Sequence, residues 1–291
     1  MKRRELPPRL EAALIWLLFH AFRLLPLDAA SAVGGWIGRH AGPRLSVSRR
    51  ARRNLQAAMP ALSAGEREQV LRRMWDNLGR TVAEFPHIED FAFGPGQRVE
   101  VEGEEHILAL RDDGRPGLLF SGHLANWELM GPTAFHYGLR VHLVYRAANN
   151  RYLHWLYRRG RHNEGVTLIP KGSAGARTAL GLLAKGEHVG MLVDQKMNDG
   201  IAAPFFGRPA MTAPALAAFA LKYDCPVLPA RILRLNGARF RVCVEPPIYF
   251  RKTGDRQGDL LAAMTQVNLM LEGWIRQYPE QWLWLHRRWP E

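Results

Sequence analysis

Two histidines in this chain precede a carboxylate by five positions: His123 with Glu128, in GLLFSGHLANWELM, and His286 with Glu291, in QWLWLHRRWPE. A carboxylate that holds one imidazole nitrogen fixes the tautomer and stabilises imidazolium. The other nitrogen is then left to take a proton from a hydroxyl. Such a base contributes ~10²–10⁴-fold to rate. Spacing alone does not choose between the pairs, since eleven His and 27 Asp+Glu in 291 residues give about one such match by chance. Context does. His286 lies in an aromatic tail and its acid is the final residue, so it reads as structural. His123 follows an apolar, strand-like run at its carboxyl end and opens a helix. Open α/β folds place ligands at the carboxyl ends of their strands, and a helix start favours developing negative charge. The bland alternative for His123 is a capping or hydrogen-bonded structural role.

Other catalytic patterns are absent. KGSAGA is the nearest string to a GxSxG nucleophile elbow and lacks its first glycine. There is no HExxH zinc helix, no phosphate-binding loop and no GxGxxG after a strand, so neither metal nor cofactor is expected. Cys225 and Cys243 have no metal-ligand spacing and sit in apolar surroundings. They read as structural thiols of a reducing compartment, with a single disulfide left open.

The elements that must position His123 follow from hydrophobic patterning. From about residue 99 strands and helices alternate. Strand candidates are 117–121, 141–145, 166–169, 189–193, 227–233 and 240–245; helical patterns fill about 126–136, 150–161, 173–185, 212–223 and 257–278. This predicts an α/β fold with a mainly parallel central sheet flanked by helices. Upstream, residues 63–85 open with Ser63 and Glu66 at capping-box spacing and set Val70, Met74, Leu78 and Val82 on one face, predicting an amphipathic helix.

The N-terminus and the charge narrow the setting. An apolar run, Ala12 to Phe19, follows Lys2, Arg3, Arg4 and Arg9; it is too short for a span, which needs roughly 20 residues. A cleaved signal peptide and a buried soluble helix remain open readings. A membrane-inserted or interfacial anchor is favoured, because Trp16, Trp36 and the flanking arginines suit an interface. Net charge is +13, which favours a polyanionic partner. Arg49, Arg50, Arg52 and Arg53 fit anionic headgroups beside such an anchor. They lack interleaved base-stacking aromatics, so nucleic acid is not expected. The chain divides into an N-terminal membrane-associated helical segment (1–40), a helical segment (41–98) and an α/β core (99–291).

GHLANWE resembles the His-x4-acid block of the lysophospholipid acyltransferase superfamily, and its Glu resembles the late lipid A acyltransferases in particular. Further segments match that branch in order: VYRAANN (144–150), RRGRHNEGVTLIPK (158–171), LAKGEHVGMLVDQKMNDG (183–200), PFFGRPAMT (204–212) and CPVLPARI (225–232). One departure from the wider superfamily is the missing phosphate-binding FPEG block, where DQKMNDG stands; glycerol-phosphate acceptors are therefore disfavoured. The resemblance implies an enzyme of the inner membrane with its catalytic domain on the cytoplasmic face. It would move a fatty acyl group from acyl carrier protein to a hydroxyl of a phosphorylated glycolipid, the lipid A precursor.

Within that reading His123 and Glu128 are the catalytic candidates. Arg146, after a strand end, and Arg161, after the next helix, are candidates to clamp phosphate or carboxylate. Gln195 would donate to the thioester carbonyl or the acceptor sugar, and Asp194 would order the following loop. Phe205 and Phe206 are read as a wall of the acyl groove, with an ordinary core turn as the alternative. Two other functions stay open: acylation of another membrane glycolipid or aminolipid, and a non-catalytic membrane-surface binding protein of the same fold.

Overall fold

The run Gly117–Ser121 is buried along its whole length, as a strand covered by helices on both faces requires. It is the centre of a sheet seen in a computed structural model that describes residues 7–146, 148, 150–158 and 165–289. The described strands are β1 (Val99–Glu102), β2 (Gly117–Ser121), β3 (Val141–Tyr145), β4 (Leu168–Pro170), β5 (His188–Leu192), β6 (Lys196–Phe205), β7 (Arg208–Thr212), β8 (Val227–Asn236) and β9 (Arg239–Val244). Seven of them form one sheet in the order β1-β9-β8-β2-β5-β3-β4. Every neighbouring pair is parallel except β8 with β9. The expected α/β class and mainly parallel sheet are what the chain forms.

β6 and β7 pair only with each other. The sequence pattern had offered no strand here and began a helix at 212. The hairpin turns through Phe206 and Gly207, both at positive φ (52° and 67°), the backbone signature of a tight hairpin turn. Gly200 and the polar Lys196–Asp199 stretch hide the alternation that would mark a strand, and the helix starts only after Pro214.

The helices are α1 (Pro8–Arg23), α2 (Leu27–Ala41), α3 (Ser48–Ala58), α4 (Ala64–Glu84), α5 (Glu104–Asp112), α6 (Met130–His136), α7 (His154–Arg158), α8 (Ser173–Leu183), α9 (Ala215–Tyr223) and α10 (Arg256–Gln277). α4 begins with the capping box its sequence signals: the Ser63 amide donates to Glu66 Oε2 (2.7 Å) and the Glu66 amide to Ser63 Oγ (3.3 Å). Its buried face is not quite the apolar stripe. Met74 is buried but Val82 is exposed, while the polar Asn77, Thr81 and Glu84 are buried. Those three hold the loop that carries His123, so the helix turns polar atoms inward where a purely apolar stripe would have placed Val82.

α2 crosses α4 at backbone contact. A Cβ on Gly34 or Gly38 would meet α4 backbone atoms within 2.4 Å, so only glycine fits there. α1 follows α2 onto the same scaffold: Phe19 is buried edge-on to Trp155 and Phe85, and Arg23 pairs with Asp90. Among the described residues no helix is long and apolar enough to cross a membrane. Instead α1 and α2 leave Leu14, Trp16, Leu17, Leu18, Val33, Trp36 and Ile37 exposed. The arginine cluster of α3 is partly internal bracing, with Arg52 bound to Glu68 (2.9 Å) and Arg50 to the Leu285 carbonyl (3.3 Å).

Candidate active site

Four adjacent parallel strands, β2, β5, β3 and β4, end on one edge of the sheet. The residues just past their carboxyl ends are His123, Asp194 with Gln195, Arg146 and Lys171. Sheet order therefore gathers into one row residues that lie far apart in the chain.

The carboxylate on His123 is that of Asp194. Its Oδ1 lies 2.7 Å from His123 Nδ1, and its Oδ2 accepts the His123 backbone N–H at 2.8 Å. Oδ2 also accepts from Trp282 Nε1 at 2.8 Å. Glu128, expected to take this place, instead accepts from Trp127 Nε1 (3.0 Å). It lines the same cavity as His123. The first turn after His123 is 3-10 helix at Trp127–Leu129, so the five-residue spacing does not bring Glu128 back onto the imidazole.

On the far side of the ring Gln195 Nε2 lies 3.1 Å from His123 Nε2, and Lys171 Nζ donates to Gln195 Oε1 at 3.1 Å. An ammonium has no acceptor, so the Gln195 oxygen must face Lys171 and its NH₂ must face the imidazole. His123 Nε2 is then the acceptor, and Nδ1 carries the proton donated to Asp194. The chain Lys171–Gln195–His123–Asp194–Trp282 thus selects the tautomer that leaves Nε2 as acceptor, inferred from hydrogen-bond logic at both ends.

Asp194 is completely buried. Burial alone would push its carboxyl up, but the charge and hydrogen bonds of His123 hold it far below the usual carboxylate range. His286 lies ring to ring with His123, centroids 4.8 Å apart. Burial, with the charge of His123 added, lowers it to about 4, so it is a neutral partner. The tail residue read as structural therefore touches the His123 imidazole; its sequence partner Glu291 is outside the described residues. Ligand atoms of His123, Asp194 and His286 lie within 4.8 Å of one another. Both Asp194 oxygens already accept N–H donors, which fits a hydrogen-bonded dyad better than an ion. Burial lowers the Lys171 ammonium, and Arg146 lowers it further against the pull of Asp194.

The catalytic loop is clamped from beneath. Ala125, at positive φ (46°), offers its carbonyl to Asn77 Nδ2 (3.2 Å) and Thr81 Oγ1 (3.0 Å). Its N–H donates to the Gln281 carbonyl (2.9 Å). Asn126 Nδ2 donates to Glu84 Oε2 (2.9 Å), and Glu84 pairs with the largely buried Arg234 and accepts from Ser31 Oγ (2.7 Å).

A cavity of about 290 Å³ opens at His123, Glu128, Arg146, Lys171 and Gln195. It runs down between β2, β3, β5 and α6, where Leu119, Ala134, Val141 and Gly190 line it. Polar groups are confined to its mouth. Phe205 and Phe206 do not line it; they are buried against Trp282, Trp284 and Trp289. Arg161 lies outside the described residues. Lys171 and Trp282 escape a reading of the sequence, although the strand-end rule that picks out His123 and Asp194 would also pick out Lys171.

Residues 3–291 match the family described as bacterial lipid A biosynthesis acyltransferase. The chain is 28% identical over 275 residues to a lipid A biosynthesis palmitoleoyltransferase of Escherichia coli (strain K12), covering 91% of this chain and 86% of that one. It is 25% identical over 287 residues to the lipid A biosynthesis lauroyltransferase of the same organism, covering 94% and 88%. A lipid A biosynthesis acyltransferase of Haemophilus influenzae is 24% identical over 94% of this chain and 83% of its own. The match spans nearly the whole sequence, and the chain belongs to the bacterial lipid A biosynthesis acyltransferase family.

Proposed function

We propose that the enzyme transfers a fatty acyl group from acyl carrier protein to a hydroxyl of a lipid A precursor, with His123 as general base. The observation that carries this reading is the acceptor nitrogen of His123 at the mouth of a cavity lined mainly by apolar side chains. The acceptor hydroxyl displaces the Gln195 amide and gives its proton to His123 Nε2. Its oxygen attacks the thioester carbonyl, and the Gln195 N–H donates to the oxygen that gains charge. The tetrahedral intermediate expels the thiolate, which takes the proton back from imidazolium. Asp194 stabilises that imidazolium, and Glu128 is the second carboxylate of the site, facing the reacting groups from the cavity wall. Arg146 meets acceptor phosphate, and Arg161, in the segment following α7, is its companion.

Direct transfer without an acyl-enzyme is favoured by the nucleophiles. Burial pushes the Cys225 thiol up to about 11, and the Ser121 hydroxyl donates to the Gly122 carbonyl (3.4 Å) instead of to an imidazole. The exposed apolar residues of α1 and α2 support monotopic membrane attachment; the cytoplasmic face of the inner membrane is the side this reading assigns. A basic chain of net charge +13 suits both an acidic carrier protein and an anionic glycolipid.

The test is transfer from radiolabelled acyl carrier protein to purified lipid A precursor, with intact-mass analysis of the enzyme mixed with donor alone. Labelled glycolipid and no acyl adduct are expected. A stoichiometric adduct on Ser121 would overturn the direct mechanism. Transfer only to an aminolipid or another glycolipid would overturn the acceptor.

A further inference from the structure

Away from the catalytic row, two guanidinium groups converge on one phenol. Arg9 Nε donates to Tyr152 Oη at 3.1 Å and an Arg151 terminal nitrogen donates to the same oxygen at 3.0 Å. Both guanidinium carbons also lie near the ring, 5.8 and 5.0 Å from its centroid. Like charges brought this close repel one another, and among the described residues no carboxylate pairs with either. Glu11, the acid of the α1 first turn, is engaged by Asn150 Nδ2 (3.0 Å), which also donates to the Pro8 carbonyl (2.7 Å). Arg9, Asn150, Arg151 and Tyr152 line an open hollow with Pro7 and Pro8, of about 540 Å³.

The hydrogen-bond inventory of the hollow is one-sided. A phenol oxygen that accepts two N–H donors keeps its own O–H to donate. Each arginine retains further N–H groups beyond the one facing Tyr152. The cluster therefore offers three converging sets of donors and two positive charges, which suit the several oxygens of a phosphate monoester. Its place argues for a lipid source. Arg9 begins the helix whose Leu10, Leu14, Leu17 and Leu18 are exposed, so a phosphate bound here lies at the level of an apolar surface. Arg151 is five residues from Arg146 at the cavity mouth, which keeps their Cα atoms within about 18 Å.

We propose that Arg9, Arg151 and Tyr152 form a headgroup clamp for a phosphate monoester carried by a membrane lipid. This deepens the functional reading, on which it rests for taking the α1 face as the membrane side. The clamp would hold a phosphorylated lipid while its hydroxyl is presented to His123, and would select a monoester over a phosphodiester because a terminal phosphate exposes one more oxygen and more charge.

The experiment measures binding of the full chain to phosphatidylcholine vesicles containing phosphatidic acid or phosphatidylglycerol at equal surface charge. Wild type should favour the phosphatidic acid vesicles by roughly tenfold or more. Arg9→Gln with Arg151→Gln should abolish that preference while leaving phosphatidylglycerol binding nearly unchanged, and Tyr152→Phe should reduce it. No preference in wild type, or a preference that survives the double substitution while only the melting temperature falls, would overturn the clamp and leave a mere brace between α1 and residue 152. Inorganic phosphate that binds by titration calorimetry, without any vesicle preference, would assign the site to a soluble anion and reject the lipid. A His123→Ala control keeps the two readings apart, because it should lose transfer yet retain the vesicle preference.

Discussion

Trp282 Nε1 donates to Asp194 Oδ2 at 2.8 Å, across 88 residues of chain. The carboxylate that holds the catalytic imidazole is thus itself held by the C-terminal segment. Trp282→Phe keeps the ring and removes the donor. Asp194 then keeps its charge but loses one of the donors that fix its orientation behind Nδ1. A fall in kcat of about tenfold, the worth of one charge-assisted bond, should accompany it. An unchanged kcat, with only reduced melting temperature, would leave Trp282 a packing residue.

The two carboxylates of the site make different predictions. Asp194→Asn removes the charge behind Nδ1 and should lower kcat by ~10²–10⁴-fold with KM little changed. Glu128→Gln keeps the hydrogen bond geometry available to Trp127 and should act mainly on acceptor KM. Steady-state kinetics with acceptor varied would decide. If Glu128→Gln cost as much kcat as Asp194→Asn, the direct partner of the base would have been misassigned.

His286 predicts a pH dependence of stability. Its folded value, about 4, lies below the ~6.5 of an unfolded histidine. Between those values the unfolded chain binds a proton that the folded chain does not, so stability rises with pH there. The contribution is fully present above about pH 6.5 and is lost as pH falls toward 4. It is worth about 3 kcal/mol at most, from the difference between these two values. Urea titrations at pH 7 and pH 5 should differ in midpoint, and His286→Phe should flatten the difference. An unchanged pH slope in the variant would refute the neutral buried imidazole.

Cavity depth predicts chain-length preference. Gly131 lines the cavity, and a Cβ there would lie 3.2 Å from Leu143 Cδ1. Gly131→Val should therefore fill acyl space and shift the preferred donor toward shorter chains, with the rate on long donors falling at least tenfold. Competition among acyl carrier protein donors of graded length reads this directly. An unaltered length profile would locate the acyl chain elsewhere.

Strands Gly117–Ser121 and Val141–Tyr145 are legible in the sequence because each is a short, mostly apolar run between breakers. β1 and β6 are not: β1 alternates Val with Glu over four residues, and three of the first four residues of β6 are polar. His123 and Asp194 are each legible as strand-end residues, but their bond is not. It depends on β2 and β5 being neighbours, a property of sheet order that local pattern does not hold. Glu128 is the nearer carboxylate in sequence, and the turn at Trp127 that takes it away from the imidazole has no clear local signature. The neutral state of His286 is illegible for the same reason, since the groups that act on it include His123, Asp194 and Lys171, from the ends of β2, β5 and β4.

The loop at Ala125 is gripped on one side by α4 and on the other by Gln281. The loop that carries His123 is therefore tied at once to the helical segment before the sheet and to the segment after it. A change in either tie would loosen the imidazole without altering a single residue of the cavity wall.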